Sequence, residues 1–265
     1  MRTTLLTNVF NEEYLLPFWL QHHKDMFDDI IIINYRSTDN SMEICKSICP
    51  NCKIIETRNK YFDCDDIDVE FMGIENSIEG IKIVLNTTEF LICETSVHDI
   101  FDDTENLYSY NIKVISPYSN TCYNIDNYYD LFKNLVNDDV TYHFDRQGTR
   151  QIHNFPNGRY HVGRHITNNK STLTNKAHVI WFGFYPWNDR LLKRKLQISQ
   201  NMTEHDKNKG FGSQHFWSKE RMESVNREQA NSGDSLINLN PSLYNLLINK
   251  YIDKCENNDE INDVI

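Results

Sequence analysis

No apolar run in this chain approaches the roughly 20 residues needed to cross a bilayer, so it offers no candidate membrane span. The start, Met1-Arg2-Thr3-Thr4, leads straight into a strand-like run and leaves no room for a signal peptide, which makes the cytoplasm the expected location. A surplus of positive charge is missing as well. The 27 Lys and Arg stand against 38 Asp and Glu, a net charge of −11, and this argues against a nucleic-acid-binding surface. An anionic ligand would therefore need a local cationic or metal site. Cys49-Pro50-Asn51-Cys52 has C-x-x-C spacing, but no second pair stands near it to complete a zinc site. The seven scattered cysteines read as the reduced thiols of a cytosolic protein. Internal repeats and linkers are absent, so the 265 residues, 39% hydrophobic and 25% charged, read as one ordinary globular domain.

What is present is an alternation of short apolar runs and helical patterns. Residues 3–9 read as a strand, followed by a helix from about Glu12 to Phe27 with Asn11 as its N-cap and Pro17 in its first turn. Ile30 to Ile33 is apolar without alternation, which marks a strand covered on both faces. A helix capped by Asp39 or Asn40 runs toward Ile48, and Lys53 to Glu56 forms a third strand. Gly73 to Ile83 reads as a helix and Phe90 to Cys93 as a buried fourth strand. The order β-α-β-α-β-α-β predicts an α/β fold with a mostly parallel central sheet and helices on both faces. Beyond residue 102 the expected elements are a strand at 112–116, a helix at 128–136, loops and short strands over 143–175, a strand at 178–185 and helices at 188–199 and 241–251. Residues 1–101 read as a nucleotide-binding half, 102–254 as an acceptor half and 255–265 as an acidic tail.

Two polar clusters follow the first two strands, Thr7-Asn8-Val9-Phe10-Asn11-Glu12 and Asn34-Tyr35-Arg36-Ser37-Thr38-Asp39. Ligands of parallel sheets collect beyond the carboxyl ends of strands, which is where both fall. Helix capping would explain the first cluster alone, but not its recurrence after the second strand. Together with Asn11-Glu12-Glu13-Tyr14-Leu15-Leu16-Pro17-Phe18-Trp19-Leu20, these clusters resemble the opening of GT-A-fold glycosyltransferases of the family-2-like group. The resemblance implies a nucleoside diphosphate sugar donor, with UDP as the nucleotide, and an inverting transfer to a glycan or other hydroxyl acceptor. It implies that Thr7, Asn8, Val9, Phe10, Asn11, Glu12, Asn34, Arg36 and Ser37 line the nucleotide pocket. Asn34 would stand where the family carries an acid against the uracil imide, and Arg36 could contact phosphate. The family also holds Mn²⁺ or Mg²⁺ with a D-x-D motif at the end of its next buried strand. Here that motif is expected at Glu94-Thr95-Ser96, with His98, Asp99, Asp102 and Asp103 as substitute ligands.

In the second half, Arg150, Arg159 and Arg164 with His153, His161, His165 and His178 read as a cationic wall near the diphosphate. Zinc binding by His161 and His165 is disfavoured by the absent Glu and the intervening Gly163. His215, in a glycine-containing loop, is expected to contact the diphosphate. Asp189, at a helix start, is the expected general base, with Asp99, Asp102 and Asp145 behind it. Tyr185, Trp187 and Trp217 are aromatic by type for sugar stacking, although core packing is the default. Two rival readings remain open. A nucleotidyltransferase would need a Gly-rich, basic triphosphate loop that is not present. A binding protein that has lost catalysis would bind UDP and release no sugar.

Overall fold

The computed structural model describes residues 1–101 and 106–252, and the side chains of all of these except 145–147. Asp102, Asp103, the acidic tail and the side chain of Asp145 therefore lie outside the described residues. The chain runs β1 (Thr3–Val9), α1 (Leu16–His23), β2 (Asp29–Asn34), α2 (Ser41–Ile48), β3 (Lys53–Glu56), α3 (Cys64–Glu75), β4 (Ile81–Val84) and β5 (Glu89–Cys93). It continues with β6 (Ser109–Tyr118), α4 (Tyr128–Lys133), β7 (Thr141–His153), β8 (Ser171–Trp181) and α5 (Asp189–Ile198). The last elements are α6 (Glu204–Lys209), α7 (Lys219–Ser232), α8 (Leu236–Leu239) and α9 (Pro241–Leu247).

The eight strands of the described residues join one sheet in the order β3-β2-β1-β4-β7-β6-β8-β5. Four of its pairings are parallel, β1 with β2, β2 with β3, β1 with β4 and β6 with β8. The other three are antiparallel. Side-chain alternation divides the apolar residues between two faces. Leu5, Ile30 and Ile32 pack with Leu15, Leu16, Trp19 and Leu20 of the α1 region and with Cys45 of α2. Leu6, Ile31, Ile33 and Val84 face the other way, onto Ile67 and Phe71 of α3. The expected mixed α/β fold, with helices on both faces, is what the chain adopts.

Two departures decide where the site lies. The segment expected to finish a helix at Ile83 is strand β4, which pairs directly with β1. The preceding helix starts earlier, because Asp63 caps α3 by accepting from the backbone N–H groups of Asp65 and Asp66. Phe90 to Cys93, expected as the fourth parallel strand, lies at the edge of the sheet and pairs antiparallel with β8. Followed through β8, β6, β7 and β4, this pairing makes β5 run opposite to β1. Residues 143–153, expected as loops and short pieces, belong to the 13-residue strand β7. A further correction concerns the C-x-x-C segment. Cys49 and Cys52 form a disulfide, their Cα atoms 5.4 Å apart at the end of α2, within the span a disulfide bridges.

Candidate functional site

The strand order places β2 on one side of β1 and β4 on the other. Such a topological switch point leaves a crevice at the carboxyl ends of the strands. A cleft of about 770 Å³ opens beside it, beyond the carboxyl ends of β1, β2 and β3. Phe10 lines it from the loop after β1, Tyr35, Arg36 and Thr38 from the loop after β2, and Lys60, Tyr61 and Phe62 from the loop after β3. Its opposite wall is the segment Gln200-Asn201-Met202-Thr203-Glu204.

The two sequence clusters meet, as expected from their positions, but most of their polar groups bind each other. Asn11 adopts a left-handed backbone (φ 52°) and does not cap α1. Its Oδ1 accepts from the Thr38 N–H at 2.7 Å, and its own N–H donates to Ser37 Oγ at 3.2 Å. The Glu12 N–H donates to Ser41 Oγ at 2.8 Å, while its carboxylate pairs with Arg194 of α5 at 2.6 Å. Thr7 and Val9 are wholly buried. Asn34 is not poised to read a base. Its Oδ1 accepts from the Ser37 N–H at 2.9 Å and its Nδ2 donates to Glu56 at 2.8 Å, local bonds that hold the loop's shape. Of the nine expected nucleotide-pocket residues, Phe10 and Arg36 line the cleft. Asn8 lies two residues beyond Leu6 on the α3 face, and its buried Oδ1 has no partner.

Arg36 takes a left-handed backbone (φ 58°) and donates to the Lys60 carbonyl at 3.2 Å, so its charge is steadied without a carboxylate. Lys60 Nζ stands 5.0 Å from the centroid of the Tyr61 ring, which is 57% exposed. A basic and aromatic run directly after β3 was a signal available in Arg58-Asn59-Lys60-Tyr61-Phe62. The 200–204 wall was not legible, because its partners lie far away in sequence. A short parallel bridge joins Phe62 to Met202. Thr203, the N-cap of α6, donates to Asp63, the N-cap of α3, at 2.7 Å. Asp206 in turn accepts from the Cys64 N–H at 3.2 Å. Burial pushes the Asp63 carboxyl up, but hydrogen bonds from Thr203, the Asp66 N–H and His205 together hold it below the usual carboxylate range. Asp206 is raised by burial and then by the charge of Asp63.

His215 lies beside this wall, close to Gly212 and Met202. Burial, reinforced by the charges of Lys195 and Arg194, lowers it to about 3, so it is a neutral imidazole at physiological pH. Asp189 is exposed at the first turn of α5 and is not among the residues lining the cleft. Trp187 stacks on Phe184 at 5.6 Å, Tyr185 is fully buried, and Trp217 packs in the same small core as Phe184. These three aromatics serve packing.

The expected metal residues are in the wrong place for this cleft. Glu94 and Ser96 follow β5, an edge strand whose reversed direction carries them to the end of the sheet where β1 starts. Nearby, His98 lies 3.8 Å from Asp28, which bonds Thr3 at the start of β1. Ser96 and Asp99 form a capping box for the turn at 97–100. The strand beside β1 ends instead in Leu85-Asn86-Thr87-Thr88, which contains no carboxylate. Hard divalent cations prefer carboxylate oxygens, and Asn86 stands between opposite charges, its N–H and Nδ2 donating to the Glu89 carboxylate at 2.8 and 3.0 Å. Its Oδ1 accepts from Arg164 Nη2 at 2.8 Å. The next acid, Glu89, is fully buried in an ion pair with Arg150. The residues at this strand end do not fit a metal ion. A different group, Asp63, His205 and Asp206, has ligand atoms within 4.8 Å of one another at the base of the 200–204 wall.

The anticipated cationic wall is divided among separate places. Arg164 comes to the switch point, paired with Asp68 of α3. His153 joins Glu75 and Tyr160 in a buried cluster, His161 bonds Asn168 at 2.9 Å, and His178 bonds Asn240 at 2.8 Å.

No family model and no curated protein matches this chain. Among solved structures it is similar to S. aureus TarS, with 13% identity, 76% of this chain and 43% of that chain covered, and a TM-score of 0.41. A structure of S. aureus TarS 1–349 in complex with UDP-GlcNAc matches at 16% identity over 48% of this chain and 37% of that one, with a TM-score of 0.34. Glucosyl-3-phosphoglycerate synthase from Mycobacterium tuberculosis, in complex with Mn²⁺, UDP and glucosyl-3-phosphoglycerate, matches at 10% identity over 34% of each chain, with a TM-score of 0.28. The chain spans well under half the length of the solved chains it matches. At these scores the similarity assigns no residue a role, and the chemistry of the cleft rests on its own side chains.

Proposed function

We propose that the cleft binds a nucleoside diphosphate sugar and that the protein transfers the sugar to a hydroxyl acceptor. The observation that carries this reading is the pairing of Arg36 and Lys60 in a cleft beyond the carboxyl ends of β1, β2 and β3, on a chain of net charge −11. Two cations that no carboxylate pairs with among the described residues suit a diphosphate, and exposed Tyr61 with Phe10 suits the flat face of a base. Uridine is the base and inversion the stereochemical course implied by the sequence resemblance. Glu204 is the carboxylate that the cleft lining itself offers to an acceptor hydroxyl. A second reading, binding without transfer, is favoured by the non-acidic 85–88 segment.

Calorimetry with UDP tests the site. Arg36→Gln and Lys60→Gln are each expected to weaken UDP binding by about 1–2 kcal/mol, with a reduced salt dependence. Unchanged affinity in the double variant would refute the placement. Incubation with a UDP-sugar then separates transferase from binding protein. Slow release of free sugar supports an enzyme, whereas saturable binding without release supports the second reading.

A further inference from the structure

We infer that Asp63, His205 and Asp206 bind one divalent cation of the zinc class, which pins the starts of α3 and α6 together behind the cleft wall. The inference does not depend on the nucleotide reading of the cleft. One ligand atom from each residue lies within 4.8 Å of the others. Ligands on a tetrahedral ion with bonds of about 2.1 Å stand roughly 3.4 Å apart, so the group closes on an ion with shifts of about 1 Å. Charge balance sets this group apart from the rest of the interior. Glu12, Asp68, Glu75 and Glu89 are buried carboxylates too, and each has an arginine or a buried histidine within ion-pair distance: Arg194, Arg164, His153 and Arg150 in turn. Asp63 is buried with only the half-exposed His205 beside it, Nδ1 at 3.2 Å. Asp206 is wholly buried and has no ion pair among the described residues.

Both Asp206 oxygens share one backbone donor, the Cys64 N–H at 3.2 Å from each, together with the Cys64 thiol. A carboxylate offers about four acceptor positions, and burying its charge without a counter-ion is costly. A dication between Asp63 and Asp206 supplies the missing charge to both at once. The donor set decides its class. Two carboxylates and an imidazole, with the Cys64 thiol against Asp206, make a mixed set of oxygen, nitrogen and sulfur. Such a set suits Zn²⁺, whereas Mg²⁺ and Ca²⁺ prefer oxygen alone. His205 carries a further mark. With Nδ1 turned to Asp63, its Nε2 stands 4.0 Å from Asp65, placed as the outer carboxylate that steadies a metal-bound imidazole. None of the three residues lines the cleft, but Thr203 and Glu204, next to His205, do. The ion therefore holds the wall from behind and does not touch an occupant.

The test is Zn²⁺ titration of the full chain by calorimetry, after stripping with EDTA and desalting, paired with trypsin cleavage at Lys207, an exposed residue of α6. Wild type should take up one Zn²⁺ per chain, and about a hundredfold excess of Mg²⁺ should not displace it. His205→Ala alters a half-exposed side chain, and Asp206→Asn removes the buried charge. Each should weaken Zn²⁺ binding about tenfold or more. Lifting the wall breaks the site, so Zn²⁺ at about ten times its Kd should slow cleavage about tenfold in wild type. At the same concentration the slowing in His205→Ala should be about twofold or less. This variant should unfold with wild type in EDTA, so its lost affinity reports ligation and keeps the test intact if Asp206→Asn fails to fold. Absence of uptake by wild type would overturn the inference. So would affinity unchanged in His205→Ala, which would mean an ion held elsewhere, as on the exposed Cys122 thiol. Equal slowing of cleavage in wild type and His205→Ala would remove the clasp.

Discussion

Lys195 should make the stability of this protein rise with pH in a range where most proteins lose it. The residue sits in α5, is 2% exposed, and donates to the Gly183 carbonyl at 2.9 Å with its ammonium 3.8 Å from the centroid of Phe184. Burial, followed by the charge of Arg194, lowers it from 10.5 to about 7. In the unfolded chain it regains its ordinary value. Between about pH 7 and 10.5 the unfolded state therefore binds one proton more than the folded state, and stability increases as pH rises. The full shift corresponds to roughly 5 kcal/mol, and the cation–π contact with Phe184 offsets part of it, leaving about 2–4 kcal/mol. Lys195→Met keeps the volume and removes the titration. Urea unfolding of both proteins at pH 6, 7, 8, 9 and 10 isolates the residue, because the other groups cancel in the difference. The variant should be favoured most at pH 6, and its advantage should shrink by about 2–4 kcal/mol by pH 10. The same substitution removes one of the charges that keep His215 neutral, so its imidazole should titrate at a higher pH in an NMR series. A stability difference independent of pH would refute the argument.

Three further outcomes follow from the placement of the candidate residues. Glu94→Ala and Ser96→Ala, at the far edge of the sheet, should leave UDP affinity unchanged in calorimetry. Asp63→Ala removes the cap of α3 and its bond to Thr203, and should cost about 1–3 kcal/mol in urea unfolding while speeding proteolysis near residues 200–204. Asp189→Asn should preserve UDP binding and lower stability by less than about 1 kcal/mol, the ordinary contribution of an acid in a first helical turn; a rate loss of roughly 10²–10⁴ at unchanged stability would restore it as the general base.

The first three strands were legible because each carries a short apolar or β-branched run, Leu5-Leu6, Ile30 to Ile33 and Ile54-Ile55, ahead of polar loop residues. The fourth was hidden by Lys82. A lysine between two isoleucines reads as an exposed helical position, yet here it is 1% exposed, with Nζ donating to the carbonyls of Ile78 and Gly80. Gly80 (φ 98°) held the clue: a Cβ there would lie 2.2 Å from the Arg2 carbonyl oxygen, the close backbone approach that starts a paired strand. Missing β4 displaced the expected metal motif by one strand, from Asn86 to Glu94, and across the sheet. The polar clusters were correctly located, but sequence does not distinguish a side chain facing ligand from one facing its neighbouring loop. Asn11, Asn34 and Ser37 bond across the loops, and only the folded geometry shows that their polarity is already committed. Arg164 was visible as one cation among several, whereas its place beside Asn86 depends on contacts 78 residues apart.

The clasp between the starts of α3 and α6 bears on time rather than on affinity. Asp63 and Thr203 each cap their own helix and bond each other, and Asp206 holds the first N–H of the opposite helix. Lifting the 200–204 segment therefore unties two helix ends in one event. Such coupled ends open as a unit, at a frequency set by local unfolding. Opening of the 200–204 wall of the cleft is thereby tied to fraying at the starts of α3 and α6 together.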